Sequence, residues 1–174
     1  EGSAPSGDLL PALAERWETS ADGLTWTFYL RKNVKFHCGA PLTAQDVKDH
    51  FDRWIDPKEA FPTRAKVASL AETRVVDEHT VVCKRKNKTL VFLNNVSQTE
   101  WSYASIPHAK HVAQYGQDYG VVPASICGTG PFRLKEPPTS SLWKYERNPD
   151  YFKKDLPFLD EIEIHIITDP QALV

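Results

Sequence analysis

Residues 11–48, PALAERWETSADGLTWTFYLRKNVKFHCGAPLTAQDVK, hold a hairpin, an aromatic-rich strand, a Gly/Pro turn and a capped helix in one short run. Asp22-Gly23 is a tight-turn pair between two segments able to pair as antiparallel strands. In the strand that follows, Leu24, Trp26, Phe28 and Leu30 share one face, because strand side chains alternate with period two. Thr43 then stands three residues before Asp46, the spacing of a capping box that satisfies orphan backbone donors at a helix start. Val47, Phe51, Trp54 and Ile55 follow at helical spacing, so this helix lies on a core.

Working outward, Glu72–Val76 and Thr80–Lys84 flank the polar turn Asp77-Glu78-His79 and predict a second hairpin. Leu90-Val91-Phe92-Leu93 predicts a short buried helix or helical turn, and Pro107–Val112 a helix that starts with proline and ends near Gly116. Phe132–Lys135 and Leu142–Glu146, separated by Pro137-Pro138-Thr139-Ser140-Ser141, predict a long-loop hairpin. Glu161–Ile167 alternates, with Ile162, Ile164 and Ile166 on one face. Thr168-Asp169-Pro170 then predicts a helix start, at which the chain stops. Strands arriving as hairpins, not as alternating strand and helix units, give an α+β class with mainly antiparallel pairing and a few packed helices.

A chain of 174 residues is long enough to bury roughly 70% of its unfolded surface around a core. Its 41% apolar and 25% charged residues are ordinary for a globular domain. A net charge of −2 gives no reason to expect nucleic acid as a partner. No stretch approaches the ~20 apolar residues of a membrane span.

Several local features carry a chemical reading and a plainer one. Lys84-Arg85-Lys86-Asn87-Lys88 could meet phosphate, but a run of this size fits a solvated strand end whose lysines discourage edge pairing. His108 and His111 lie three apart on a predicted helix, without third and fourth metal ligands at a recognisable spacing, so they are expected to face solvent and no metal site is assigned. Cys38, Cys83 and Cys127 contain no C-x-x-C, and an odd number leaves at least one thiol unpaired. Three reduced or partly buried thiols are the expectation; one disulfide is compatible with an oxidising compartment, with its partners open. There is no G-x-S-x-G, H-E-x-x-H or phosphate loop, so the chain is expected not to be an enzyme and to need no cofactor. Gly128-Thr129-Gly130 is followed by proline and a strand, and reads as a sharp backbone turn.

The order of words in 11–48 resembles the signature region of the family 5 bacterial extracellular solute-binding proteins, receptors of ABC importers for peptides and nickel. A second block carries the same resemblance: Gly128-Thr129-Gly130-Pro131-Phe132, then Glu146-Arg147-Asn148-Pro149-Asp150-Tyr151-Phe152 and Leu159-Asp160-Glu161-Ile162. Cys38 departs from the pattern, which has a small polar or acidic residue there. The resemblance implies part of lobe I of a two-lobed, peptide-binding type of periplasmic-binding-protein fold (class II). Residues 1–127 would form the N-terminal subdomain of that lobe and 128–174 the truncated start of its return segment, with the second lobe absent.

The implied function is capture of a peptide or similar small solute and its delivery to ABC permease subunits in the membrane. The alternative is a ligand-sensing domain of a transcriptional regulator. The implied location is periplasmic or extracellular, with anchoring through a removed N-terminal segment as one form. In similar proteins the segment equivalent to Gln98–Tyr103 and the Gly-Thr-Gly-Pro turn approach the ligand. That implies Thr99, Glu100, Trp101 and Tyr103, with Gly128, Thr129, Gly130 and Pro131, as ligand-binding residues. Trp101 and Tyr103 would offer flat amphipathic contact surface. Trp17, Trp26, Phe28 and Trp54 are assigned to packing, since strand and helix faces explain their spacing. A chain supplying one lobe at most would bind poorly alone.

Overall fold

The computed structural model describes residues 9–59, 61–89, 91–97 and 105–167. Two compact units emerge: one from the residues up to Asn33 together with Leu42–Ala109, the other from Val34–Pro41 together with the residues from Lys110 onward. The second unit is therefore discontinuous in sequence, and neither unit ends at the 127/128 boundary drawn from the motif blocks.

In the first unit, β1 (Ala14–Thr19) and β2 (Thr25–Leu30) form the expected hairpin. Gly23 closes its turn at φ +70° and donates its N–H to Ser20 O at 2.8 Å. A side chain there would be strained and would also meet the Lys88 side chain at 2.9 Å, so the position needs glycine. The second hairpin is β3 (Leu70–Asp77) with β4 (Thr80–Arg85). Together they make an antiparallel sheet in the order β1-β2-β4-β3.

That order corrects the reading of the basic cluster, because β4 pairs on both sides and is not an edge strand. Arg85 is only 2% exposed. Its guanidinium donates to Ser69 Oγ and Thr89 O and lies over the Phe92 ring, 4.8 Å from the centroid. Lys84, Lys86 and Lys88 do face solvent. One arginine of the run is thus part of the interior and the lysines beside it are not.

Helix α1 (Ala44–Ile55) starts where the Thr43–Asp46 spacing places it, with the capping box formed. Val47, Phe51 and Trp54 are buried, whereas Ile55 is half-buried. The helix packs on β3 and β4, and each of its large apolar side chains contributes about 1.5–3 kcal/mol by leaving water. Trp54 donates its indole N–H to Thr63 Oγ1 at 3.1 Å, just before the short helix α2 (Arg64–Val67), for which the sequence shows no periodic signal. Helix α3 (Phe92–Val96) buries Phe92 in tilted ring contacts with Trp26 and Phe28. Val91 points outward, so only part of the predicted apolar turn is interior.

In the second unit, residues 35–41 fold back on themselves through a Lys35–Pro41 bridge. Helix α4 (Ala109–Tyr115) gives way to a 3-10 turn at Gly116–Asp118. The strands β5 (Phe132–Leu134), β6 (Leu142–Arg147) and β7 (Glu161–His165) form an antiparallel sheet in that order. The predicted alternation of β7 is present, but Ile164 and Ile166 are exposed. The predicted helix start at Thr168 lies outside the described residues. Among the described residues no helix is long and apolar enough to cross a membrane.

Asp46 does more than cap. Its Oδ2 accepts from Thr43 N–H (3.0 Å) and Thr43 Oγ1 (2.7 Å), while Oδ1 accepts from Ala109 N–H (3.0 Å) and His108 Nδ1 (3.1 Å). His108 is therefore a partly buried partner of a carboxylate, not the surface residue expected. Burial alone would raise the Asp46 pKa, but the bonds from Ala109, Thr43 and His108 outweigh it and hold the carboxyl below its ordinary value. With a depressed folded-state pKa, its stabilising contribution is complete above about pH 4 and is lost as pH falls through the folded value. Asp46→Asn should lower unfolding free energy at pH 7 by about 2 kcal/mol. In urea titrations the gap between wild type and variant should close as the pH is brought below about 4.

Candidate functional site

The Gly128–Pro131 turn sits in the second unit and is gripped from both sides. His37 N–H donates to Gly128 O at 2.7 Å, and His37 Nε2 bonds Gly130 O at 3.0 Å. A carbonyl only accepts, so the imidazole carries its proton on Nε2 at this contact. Asn148, 4% exposed, donates Nδ2–H to the same Gly130 O at 2.9 Å, and its backbone N–H donates to Pro131 O at 2.8 Å. Asn148 Oδ1 in turn accepts from Asp150 N–H. The F-H-x-G, G-T-G-P and R-N segments thus meet at one carbonyl.

Local geometry explains why these residues reach it. Phe36 N–H donates to Ala40 O and Gly39 N–H to Phe36 O, which closes a turn with Gly39 at φ +84° and Phe36 buried. That turn aims the His37 ring, whose Cε1 lies 3.7 Å from where a Cβ on Gly128 would stand. Asn148 comes one residue after β6, whose pairing with β5 sets its height relative to Pro131. Lys35 and Asp150 add an exposed ion pair at 3.2 Å, worth at most about 1 kcal/mol.

A disulfide joins Cys38 to Cys127, whose Cα atoms are 5.8 Å apart. This corrects the expectation of three free thiols: only Cys83 is free, buried in β4. Burial pushes the Cys83 thiol up to about 12, so it stays protonated and unreactive. His111 of α4 lies beside the disulfide, with its ring nitrogen and the two sulfurs all within 4.8 Å of one another. His108 and His111 therefore serve different partners.

Of the ligand-binding residues implied by the resemblance, Gly128, Thr129, Gly130 and Pro131 form the half-buried turn just described. Thr99, Glu100, Trp101 and Tyr103 lie outside the described residues. His37, Asn148 and the Cys38–Cys127 bond were not singled out from sequence. A signal for them existed, since His37, Cys38 and Asn148 stand inside the two motif blocks and Cys127 directly precedes the second.

Residues 8–174 match the pattern of the bacterial extracellular solute-binding proteins, family 5. The chain belongs to this family. It is 32% identical over 186 residues to di/tripeptide-binding protein 2 of Pseudomonas aeruginosa, covering 97% of this chain and 35% of that protein. To the glutathione-binding protein GsiB of Salmonella choleraesuis it is 34% identical over 157 residues, covering 90% of this chain and 30% of that protein. Among solved structures, MoaA in complex with mannopinic acid, from the A. tumefaciens strain R10, superposes with a TM-score of 0.86 at 31% identity. That superposition covers 98% of this chain and 34% of MoaA. The family 5 chain described here thus spans about a third of the length of these relatives, and its α+β fold with antiparallel sheets is that of a part of a two-lobed solute-binding protein.

Burial depresses the His37 imidazole; its bond to Gly130 O opposes this, and the nearby Arg133 guanidinium adds to the depression. A histidine with a lowered folded-state pKa contributes stability fully above about pH 6.5, and that contribution is lost as pH falls through the folded value. His37→Gln, which keeps a donor but does not titrate, should flatten the acid-side decline of the urea midpoint relative to wild type. Asn148→Ala should cost about 2 kcal/mol at all pH values in this range, since it removes one of the two side-chain donors to a half-buried carbonyl. Equal midpoints for wild type and Asn148→Ala would show that the Gly130 carbonyl does not depend on this grip.

Proposed function

We propose that this chain is part of the substrate-binding component of an ABC importer that captures a di- or tripeptide, or a solute of similar size, and delivers it to membrane permease subunits. The observation that carries the reading is the match over nearly the whole chain, at more than 30% identity, to proteins named for binding di/tripeptides and glutathione. The same match supports a reading in which both units belong to lobe I and a second lobe is supplied by further chain. A location outside the cytoplasmic membrane, periplasmic or extracellular, fits delivery to a permease. Binding without chemical conversion is the proposed activity, and the relatives give the regulator alternative no support.

The Gly128–Pro131 turn suits a ligand-facing role because its position is over-determined by His37 and Asn148, and a pre-organised backbone loses little freedom when a solute docks. Trp101 and Tyr103 are proposed to add aromatic contact, and Thr99 and Glu100 polar contact. A small ligand typically loses 70–90% of its surface to its receptor, which needs walls on both sides.

Calorimetric titration with di- and tripeptides, glutathione and nickel should therefore show binding by the longer protein. The present chain alone should bind at least about 100-fold more weakly, a loss of about 2.7 kcal/mol. In the longer protein, Trp101→Ala and Tyr103→Ala should each weaken peptide binding by about tenfold. Equal affinity for the short and long forms would overturn the division between lobes, and no binding by either would overturn the peptide reading.

A further inference from the structure

The disulfide and its histidine neighbour are not needed by the peptide-binding reading, and they form a cluster of a different chemical character. Cys38 Sγ, Cys127 Sγ and a ring nitrogen of His111 lie within 4.8 Å of one another. They come from three separate places: the 36–40 turn, the residue before Gly128, and helix α4. The two cysteines differ in exposure. Cys38 is exposed, whereas Cys127 is 1% exposed.

We propose that reduction of the Cys38–Cys127 bond converts this cluster into a Cys2His site for a thiophilic divalent cation of the zinc class. Two thiolates and one neutral imidazole are the ligand set of an open zinc site, with water in the fourth position. Tetrahedral bonds of about 2.3 Å to sulfur and about 2.0–2.1 Å to nitrogen place donor atoms roughly 3.5–3.8 Å apart. The three donors already lie within 4.8 Å, so the imidazole and sulfurs need draw together by only about 1 Å once the sulfurs part. Cys38 can supply this movement, because it sits in an exposed turn while Cys127 is packed. The charges also close: a dication with two thiolates is neutral, which suits a cluster that is partly buried.

The reductant is a dithiol. Its thiolate attacks the Sγ of the exposed residue Cys38, and the disulfide electron pair leaves with Cys127 Sγ, which takes up a proton from the medium. The second thiol of the reductant then attacks the mixed disulfide, releases Cys38 and departs as a cyclic disulfide. Two electrons and two protons have passed to the chain. Metal binding expels the two thiol protons to solvent, and the occupied site resists re-oxidation because neither sulfur is free to attack.

Cobalt(II), a spectroscopic stand-in for zinc, provides the test when titrated without oxygen into the oxidised chain and into the chain reduced with a phosphine. The reduced chain should bind one equivalent, with thiolate-to-cobalt charge-transfer absorption and intense tetrahedral d–d bands; the oxidised chain should show neither. Removing the remaining thiol by Cys83→Ala should leave the spectrum unchanged. His111→Gln should weaken cobalt binding at least about tenfold, since losing a ligand costs no less than losing a partner behind one. Zinc should slow re-formation of the disulfide by oxidised glutathione at least about tenfold in wild type and much less in His111→Gln. A reduced chain without tetrahedral bands would overturn the proposal. So would equal affinity in wild type and His111→Gln, or loss of near-ultraviolet circular dichroism on reduction, because the site requires a folded dithiol form.

Discussion

The second unit depends on holding in place a segment whose nearest neighbours in sequence belong elsewhere. Val34–Pro41 leaves the chain's first pass and is rejoined only by residues from Lys110 onward. Bringing such distant segments together costs loop-closure entropy before any contact offsets it. The disulfide bears most of that cost in the unfolded state, since closing a loop of separation 89 is worth about 4–5 kcal/mol in the chain-entropy account. The hydrogen bonds from His37 contribute about 1 kcal/mol each, and the exposed Lys35–Asp150 pair less. Covalent linkage supplies the larger energy, while the hydrogen bonds supply direction.

Direction is what the Gly128–Pro131 turn requires. A carbonyl has two lone pairs, and Gly130 O fills both with side-chain donors from opposite sides in sequence, His37 and Asn148. Neither donor alone would fix the plane of that peptide. With both, and with backbone bonds to Gly128 O and Pro131 O, the turn has little freedom left to lose. Any solute that meets it meets a surface whose ordering cost has already been met during folding.

The hairpins were legible in the sequence because their determinants are local: Asp22-Gly23 for one turn, Asp77-Glu78-His79 for another, and period-two alternation on either side. Thr43 and Asp46 likewise announced α1, since a capping box needs only four consecutive residues. Strand order was not legible, because nothing within Thr80–Arg85 says that β2 and β3 both pair with it. The basic run therefore looked like an edge, whereas Arg85 is an interior residue satisfied by Ser69, Thr89 and Phe92. The Cys38–Cys127 bond was hidden for the same reason: pairing is decided by which turns meet in space. Yet Cys38 stands inside one motif block and Cys127 directly precedes the other, and two blocks that converge on one carbonyl bring such residues together.

The three cysteines show how far placement, not residue type, decides chemistry. Cys83 lies in a central strand between Trp26 of β2 and Thr73 of β3, and burial disfavours its thiolate, so it offers little nucleophile to an oxidant or a metal. Cys127 is as deeply buried but is bonded to a partner that solvent can reach. Cys38 itself is exposed, on a turn whose shape is set by Gly39 and Ala40. One thiol is therefore silent, and the other two form a single unit that joins an exposed residue to a buried one beside His111.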